Sequence, residues 1–392
     1  MPMDKAAEVF YRGRMPFEQG PIRPPSEAES LLLRLTRNCP WNRCTFCPVY
    51  KGKKFSRRSE EDILSDIDEV ADGIRRVRES SWRAGLGGAV TRDLAAQVLG
   101  DPATGPAEAA AAVWLFHAKG SVFLQDSDAL VLPEASLVRI LTRLRTSLPE
   151  VTRVTCYSRS ATLARKKAGV LRNLREAGLD RVHVGMESGS GKVLDLVSKG
   201  ATPVLHVRGG VAAMEAGLEL SEYVMPGLGG VGLSREHAIE SARLICEISP
   251  SFTRLRSLGI RRGSPLAAQA AQGRFSSLDD EGIVKEIRIF VEHLADARTV
   301  LVSDHILNLL GNLEGKLPGD HGGLLRIIDG FLGLPGEEKD LYRLGRRMCL
   351  LDSVEDLGNP AVRREIEAVC RQARDLGRPI DEVCKELLQR MI

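Results

Sequence analysis

VTRVTCYSRSATLARKKAGVLRNLREAGLDRVHVGM, residues 151–186, contains a complete strand–helix–strand unit. Its two ends, VTRVTCY (151–157) and RVHVGM (181–186), are short runs rich in Val, which is typical of buried strands. The segment between them has a helical pattern that ends at Gly178, a residue suited to terminating a helix. This order predicts two parallel strands joined by a helix.

The same alternation recurs along most of the chain. Further strands are predicted at SLLLRL (30–35), SVFLQ (121–125), LELSEYVM (218–225) and FTRLRSLGI (252–260). Six strands, each followed by helix, predict an α/β fold with a parallel sheet covered by helices. In a barrel-like βα repeat, the loops that follow the strands lie at the functional end.

The pattern changes beyond about residue 279, where it predicts helices only. We therefore expect an N-terminal segment (1–29), a core domain (30–278) and a helical C-terminal extension or cap (279–392). One helix of the extension is predicted over 303–318. On one face it would carry Asp304, Asn308 and Asn312, which recur every four residues, with His305 and Glu314 near. This face would either be exposed to solvent or cover the barrel mouth and contact substrate.

Composition is that of a globular protein. The chain has 392 residues, 43% hydrophobic and 27% charged, with a net charge of +3. So mild a charge balance does not predict non-specific nucleic-acid binding. No apolar run approaches the roughly 20 residues of a membrane span, and the N-terminus lacks a secretory pattern. We therefore expect a cytoplasmic protein whose cysteines stay reduced.

Three of the eight cysteines lie in a loop after the first predicted strand. TRNCPWNRCTFCPVYKG (36–52) places Cys39, Cys44 and Cys47 in a C-x4-C-x2-C pattern. A structural zinc ion usually has four protein ligands, and no fourth cysteine or histidine is near. Three thiolates suit a four-iron cluster that keeps one iron open to an outside ligand. The pattern favours an iron–sulfur site, with a zinc-stabilised binding module as the alternative.

With these cysteines the sequence resembles the radical S-adenosylmethionine (radical SAM) superfamily over roughly residues 30–265. The spacing differs from the common C-x3-C-x2-C by one residue. The resemblance implies a partial (βα)6 TIM-like barrel, a 4Fe–4S cluster on the three cysteines, and SAM bound at its open iron. It also implies that Phe46, just before the third cysteine, packs near the cofactor.

The resemblance extends to residues that would contact SAM. RVHVGMESGSGKVLDLVSKGAT (181–202) resembles a motif shared by the Elongator catalytic subunit, methylthiotransferases and oxygen-independent coproporphyrinogen oxidases. There Glu187, with Ser188 beside it, would accept hydrogen bonds from the ribose hydroxyls. The loops after the second and third strands would face the amino and carboxylate groups of SAM. The candidates in those loops are Gln125, Asp126, Ser127, Asp128, Ser158 and Arg159.

MPGLGGVG (225–232) contains a G-x-G-x-x-G pattern after the fifth strand. Alone it would suggest a dinucleotide site, but that motif belongs to the first βαβ unit of a fold. Under the radical SAM resemblance, Gly227 and Gly229 would let the backbone approach the adenine.

The implied function is hydrogen abstraction by a 5′-deoxyadenosyl radical. No auxiliary cysteine set or RNA-binding tail is evident, which favours a small-molecule or lipid-like substrate. The basic run KGKKFSRR (51–58) leaves three interpretations open: a solvated loop, a docking patch for a flavodoxin- or ferredoxin-type electron donor, or RNA contact in an RNA-modifying enzyme. We predict that Asp304, His305, Asn308 and Asn312 contact substrate. The chemistry after hydrogen abstraction and the oligomeric state are not encoded in these motifs.

Overall fold

The computed structural model describes residues 17–391. Ten strands are assigned among them: β1 Leu31–Arg34, β2 Thr36–Arg37, β3 Ser56–Arg57, β4 Ser121–Gln125, β5 Arg153–Ser158, β6 Arg181–Glu187, β7 Glu219–Val224, β8 Phe252–Leu255, β9 Val300–Val302 and β10 Gly315–Lys316. The main sheet has the order β1-β4-β5-β6-β7-β8-β9-β10, and β2 pairs with β3 in a separate ribbon. The six predicted strands are thus confirmed.

The strands of the main sheet are mostly parallel. β1, β4 and β5 pair in parallel, with Leu33 opposite Leu124 and Leu124 opposite Cys156. β7, β8 and β9 also pair in parallel, whereas β10 is antiparallel to β9. Because parallel strands need crossover connections, this pairing agrees with the predicted α/β class. β9 is a further parallel strand that the sequence pattern did not indicate.

Fifteen α-helices are assigned among residues 17–391. They are α1 Glu60–Arg83, α2 Arg92–Gly100, α3 Pro106–His117, α4 Glu134–Ser147, α5 Ser160–Leu163, α6 Ala168–Glu176, α7 Gly191–Leu196, α8 Pro203–Glu215, α9 Gly230–Ile248, α10 Pro265–Ala271, α11 Asp280–Glu292, α12 His321–Leu332, α13 Gly336–Arg347, α14 Pro360–Asp375 and α15 Ile380–Arg390. In the described residues, no helix is both long and apolar enough to cross a membrane.

Local sequence explains the longest helix. The side chain of Ser59 accepts a hydrogen bond from the Asp62 backbone N–H, which caps α1 at its N-terminus. Apolar residues then recur every three or four positions and are buried, as the helical spacing predicts: Ile63, Ile67, Val70, Ile74 and Val77. The single helix expected over 160–178 is instead two, α5 and α6.

The chain divides into two compact units. The first comprises residues 17–40, 52–183 and 215–218, and the second comprises 41–51, 184–214 and 219–391. In the second unit, side chains of β7–β9 share one apolar core with α9 and α11–α15. The domain boundary predicted at residue 278 stays a prediction.

Two predictions for the C-terminal part are wrong. The segment is not wholly helical, because it contains β9 and β10. Residues 303–314, where a helix was expected, form turns and irregular backbone. Gly311 lies within this segment, and the backbone carbonyls of Leu307, Asn308 and Leu309 accept hydrogen bonds from side chains of α13 rather than from a helix of their own. Helical spacing of polar residues was therefore not sufficient evidence for a helix.

Candidate cofactor site

The cysteine loop follows β2 and is bent by two asparagines. Asn38 and Asn42 have positive φ angles of 67° and 47°, a conformation that asparagine tolerates better than most residues. The side-chain amide of Asn42 donates to the Tyr50 carbonyl (2.5 Å), and the Lys51 ammonium donates to the Asn42 carbonyl (2.9 Å). These bonds hold the second half of the loop in a defined turn.

The three thiols of the loop are accessible. Cys39, Cys44 and Cys47 are all partly exposed, so an outside ligand can reach them. Between residues 17 and 391, no three His, Cys, Asp or Glu side chains are grouped closely enough to hold one metal ion. In a four-iron cluster each thiolate binds a different iron, so three sulfurs need not converge on one point. Three thiolates are the donor set that such a cluster takes, and its binding to these cysteines stays a prediction.

Within the second unit, the loop packs against the segment after α7. The Trp41 indole N–H donates to the Ser198 carbonyl (2.7 Å), and the Thr45 N–H donates to the Val197 carbonyl (2.9 Å). A Cβ atom at Gly200 would lie only 2.2 Å from the Trp41 ring. Gly200 also has a φ of +63°, so both its backbone and the close approach of Trp41 require glycine.

Glu187 forms an ion pair with Lys199 in this unit. The Lys199 Nζ lies 2.9 Å from the Glu187 Oε1, and both side chains are largely buried. Glu187 ends β6 with a φ of +63°, which turns its side chain away from the regular strand direction. The Lys199 Nζ also lies 5.9 Å from the centre of the Phe46 ring. The predicted Glu187 and Phe46 are thus both neighbours of Lys199.

Lys199 is a site residue that sequence reasoning missed. The signal was a lysine just before Gly200, within the motif that supplied Glu187, but its pairing with Glu187 depends on the turn after α7. Phe46, for its part, packs against buried apolar residues that include Val193, Val197 and Met225. Its ring therefore has an apolar side and a side that faces the Lys199 ammonium.

The backbone beside Glu187 is held by a buried histidine. The His237 Nδ1 lies 2.8 Å from the Ser188 Oγ, and its Nε2 lies 3.0 Å from the Met225 carbonyl oxygen. Burial lowers the pKa of His237 to about 4, so the ring is neutral near pH 7. Through these two contacts, His237 joins Ser188, just after β6, to the backbone just after β7.

The glycine pattern after β7 forms a tight turn into α9. Gly227 has a φ of +88°, and its N–H donates to the Glu286 Oε1 (2.6 Å). Gly229 precedes α9, where an added Cβ would lie 3.0 Å from Leu233 backbone atoms. Burial raises the pKa of Glu286 to about 7. The glycines thus allow backbone turns and close packing at the position predicted for adenine.

In the first unit, the predicted Gln125 and Asp126 are buried beneath the segment around Gly20. The Gln125 side chain accepts from the Gly20 N–H (2.7 Å) and donates to the Gly20 carbonyl (3.1 Å). Asp126 pairs with Arg34 and accepts from the Asn38 N–H (3.0 Å), while Ser127 donates to the Asn38 carbonyl (3.0 Å). These residues fix the backbone that precedes Cys39, and their contact with SAM stays a prediction.

Asp128 is buried and joins two other side chains of the first unit. It accepts hydrogen bonds from Ser158 (3.0 Å) and from Thr162 (2.6 Å), a residue that the sequence did not suggest. Burial raises the pKa of Asp128 to about 6, although these hydrogen bonds and the nearby Arg159 oppose the shift. Asp128 and Ser158 therefore stabilise the loop that carries Arg159.

Asp304, Asn308 and Asn312, which were predicted to share one helix face, do not lie on a helix. Asp304 forms an ion pair with Arg254. Asn308 is buried, where it accepts from the Ser257 N–H (2.8 Å) and donates to the Leu255 carbonyl (2.8 Å). Burial, with a contribution from Arg256, lowers the pKa of His305 to about 4, while Asn312 is partly exposed. The Asn308 side chain thus has a structural role, and the contact of these residues with substrate stays a prediction.

The basic run 51–58 is not uniformly solvated. Arg58 is buried and forms an ion pair with the buried Asp66. Lys53, Lys54 and Arg57 are exposed. The exposed part therefore carries three positive charges, fewer than the sequence suggested.

No protein-family model matches the chain, and neither does any curated protein. Among solved structures, the chain is similar to the archaeal Elp3 of Methanocaldococcus infernus, with 16% identity over 46% of each chain and a TM-score of 0.37. It is similar to the radical S-adenosylmethionine methyltransferase TsrM from Kitasatospora setae, solved with cobalamin and a 4Fe–4S cluster, with 17% identity over 62% of this chain and 39% of that chain and a TM-score of 0.41.

A third similar structure is coproporphyrinogen III oxidase (HemN) from Escherichia coli, described as a radical SAM enzyme. It has 15% identity over 68% of this chain and 52% of that chain, with a TM-score of 0.42. The chain thus spans less than half the length of the Elp3 and TsrM structures.

Proposed function

We propose that this chain is a radical SAM enzyme that abstracts hydrogen from a small-molecule or lipid-like substrate. The observation that carries the proposal is the loop of Cys39, Cys44 and Cys47, whose second half packs against the segment that holds the Glu187–Lys199 pair. When bound, a 4Fe–4S cluster on these cysteines supplies the electron that cleaves SAM to methionine and a 5′-deoxyadenosyl radical.

The residues of the chain bind and orient SAM. The Glu187 carboxylate accepts hydrogen bonds from the ribose hydroxyls, for which it has lone pairs beyond the one used by Lys199. Phe46 packs against buried apolar residues, which hold its ring in place beside the cofactor. Gly227 allows the tight backbone turn after β7, beside which we place the adenine.

We place the substrate near Asp304 and His305 in the second unit. Both are polar and partly exposed, whereas the Asn308 side chain is occupied by backbone groups. The exposed bases Lys53, Lys54 and Arg57 offer a docking patch for an acidic flavodoxin- or ferredoxin-type electron donor. A cytoplasmic location, where such donors and reduced thiols occur together, belongs to the same proposal.

Anaerobic reconstitution tests the cluster. We expect about four irons and four sulfides per chain, and we expect a Cys39, Cys44, Cys47 triple-Ala variant to lose them while its circular dichroism is kept. Cys246→Ala is the matched control, because Cys246 is also partly exposed but lies outside the loop. One zinc per chain without labile sulfide would instead support the zinc-stabilised module.

Equilibrium binding of SAM to the reconstituted protein tests the ribose contact. Hydrogen bonds to a charged group contribute roughly 1.5–3 kcal/mol, so Glu187→Ala should weaken SAM binding about tenfold or more. Unchanged affinity with the cluster intact would place the ribose elsewhere. Hydrogen abstraction is then measured with an extract of cells grown in deuterated medium. Transfer of deuterium from a compound of the extract to 5′-deoxyadenosine shows that the radical has abstracted hydrogen.

A further inference from the structure

The segment that follows β6 is bonded to α9. The Gly189 N–H donates to the Ser241 Oγ (2.9 Å), and a Cβ atom at Gly189 would lie only 2.2 Å from the Glu240 carbonyl oxygen. The Ser190 hydroxyl donates to the Glu236 carboxylate (2.7 Å). Side chains and backbone of one helix thus fix the residues that come directly after the proposed ribose ligand.

His237, on the same helix, contacts two segments of the proposed SAM site. Its Nε2 faces the Met225 carbonyl (3.0 Å), which can only accept, so the ring carries its proton on Nε2. Because burial lowers the pKa of His237 to about 4, the ring is neutral at pH 7 and its Nδ1 accepts from the Ser188 hydroxyl (2.8 Å). The Ser188 Oγ in turn accepts from the Ser190 N–H (3.0 Å). One imidazole therefore joins the end of β6 to the end of β7.

Glu286 holds the glycine turn after β7 through a second helix. It lies on α11 and is buried. Its Oε1 accepts from the Gly227 N–H (2.6 Å) and lies 3.6 Å from the His237 Nε2. Within the turn, the Leu228 N–H donates to the Met225 carbonyl (3.1 Å), the same oxygen that His237 contacts. Side chains of α9 and α11 thus meet at this turn.

The two segments that these side chains hold adjoin each other. β6 and β7 are neighbours in the main sheet, and the Met225 N–H donates to the Glu187 carbonyl (2.9 Å). The proposed function assigns the ribose to Glu187 and the adenine to the turn at Gly227. A binding segment that is already ordered loses less conformational entropy when its ligand binds. Residues behind these segments can therefore affect affinity without touching the ligand.

We propose that His237 and Glu286 are positioning residues of the SAM site, which hold its ribose and adenine segments in the binding conformation before SAM arrives. This inference rests on the proposed function. His237 sets the distance between the two segments, and Glu286 fixes the turn at Gly227. Glu286 lies beyond residue 278, so the C-terminal part of the chain contributes to the cofactor site.

Equilibrium binding of SAM to the reconstituted protein tests both residues by loss and rescue. Glu286→Leu removes the acceptor of the Gly227 N–H and should weaken SAM binding about tenfold. Glu286→Gln keeps a side-chain carbonyl and should bind SAM like the wild type at pH 6, below the Glu286 pKa of about 7. His237→Leu should also weaken binding about tenfold. His321→Leu is the matched control, because His321 contacts the Val291 carbonyl (2.9 Å) from α12 and should bind SAM as the wild type does.

Amide hydrogen exchange followed by mass spectrometry measures the order of the two segments directly. Without SAM, peptides covering 187–191 and 225–230 should exchange faster in His237→Leu than in the wild type, and saturating SAM should reduce the difference. In His237→Asn, the side-chain carbonyl can still accept from the Ser188 hydroxyl, so protection should return to 187–191 but not to 225–230. This variant also keeps the test decisive if His237→Leu fails to fold.

Two results would overturn the positioning role. One is equal SAM affinity and equal exchange in the wild type, Glu286→Leu and His237→Leu or His237→Asn. The other is an equal loss of affinity in Glu286→Leu and Glu286→Gln, because the Gly227 contact would then not matter. Absence of SAM binding to the reconstituted wild type would overturn the proposed function instead.

Discussion

At the scale of single residues, a methyl group added at Gly185 would disturb the Glu187–Lys199 ion pair. Alanine there would place Cβ 2.2 Å from the Glu187 Oε1, which is the end of a side chain and can move. We expect Gly185→Ala to fold and to bind the cluster, but to bind SAM about tenfold more weakly, because the Glu187–Lys199 pair is displaced. Equilibrium titration with SAM measures the change.

Gly191→Ala is the control for this substitution. The nearest atoms to a Cβ at Gly191 belong to Pro203, at 3.9 and 4.0 Å, so the methyl group fits without displacing a neighbour. Its SAM affinity should stay at the wild-type value. If Gly185→Ala matched it, the ion pair would not contribute to the cofactor site.

Glu286 gives a pH dependence of stability whose sign follows from its burial. Its pKa is about 7 in the folded protein, against an ordinary 4.5. The neutral acid is favoured by the fold, so this contribution is complete below pH 4.5 and is lost as the pH rises through 7. Between pH 5 and pH 8, the wild type should lose on the order of 3 kcal/mol of unfolding free energy through this group. Glu286→Gln should not show this loss.

Denaturant unfolding at the two pH values measures this difference. His237 contributes with the opposite sign, because its pKa is lowered to about 4 and its stabilisation is lost as the pH falls. The comparison is therefore between wild type and variant at each pH, with Glu292→Gln on the exposed side of α11 as control. Parallel pH profiles for wild type and Glu286→Gln would contradict the assignment.

At the scale of elements, the segment 303–314 is held by side chains rather than by its own backbone. Arg346 of α13 donates to the Asn308 and Leu309 carbonyls, and Arg347 donates to the Leu307 carbonyl. Asn308 in turn bonds the backbone at the end of β8. The irregular segment is therefore ordered because its polar groups have partners in other elements.

Asn308→Ala tests this account. The substitution leaves the Ser257 N–H and the Leu255 carbonyl buried without a partner, and each such loss costs roughly 1–3 kcal/mol. We expect lower resistance to unfolding by denaturant. Asn312→Ala, at a partly exposed position of the same segment, should change stability little. Equal stability of the two variants would show that the Asn308 contacts do not hold the segment.

At the scale of the whole molecule, the C-terminal helices share a core with the strands that precede them. Leu255 of β8 and Ile245 of α9 belong to the same buried cluster as Phe290 of α11, Phe331 of α12 and Tyr342 of α13. A fragment ending at residue 278 would expose the first two. Burial of each large apolar side chain contributes roughly 1.5–3 kcal/mol, so many such losses exceed the stability of an ordinary domain.

We therefore expect fragment 1–278 to lack cooperative thermal unfolding and to be cleaved rapidly by protease. Circular dichroism during heating and limited proteolysis, with the full chain alongside, measure this. A fragment with a sharp transition and wild-type resistance would show that residues 279–392 are an independent domain.

Local patterns in the sequence determined the class of the fold and the cysteine motif. Strands such as 121–125 and 181–187 were predictable because a buried strand is rich in apolar and β-branched residues over a few consecutive positions. The three thiols were recognisable because a cluster loop needs its ligands within a few residues of each other. The αβ order followed from the same local signals.

Only the tertiary structure decided which polar residues meet. Lys199 pairs with Glu187 because of the turn after α7, and Glu222 of β7 is buried with no hydrogen-bond partner for its carboxyl among the described residues. Asn308 was expected to contact substrate, yet its side chain is buried, and backbone groups about fifty residues earlier in the chain satisfy its amide. Burial and hydrogen-bond satisfaction depend on residues that are distant in the chain, and no local pattern records them.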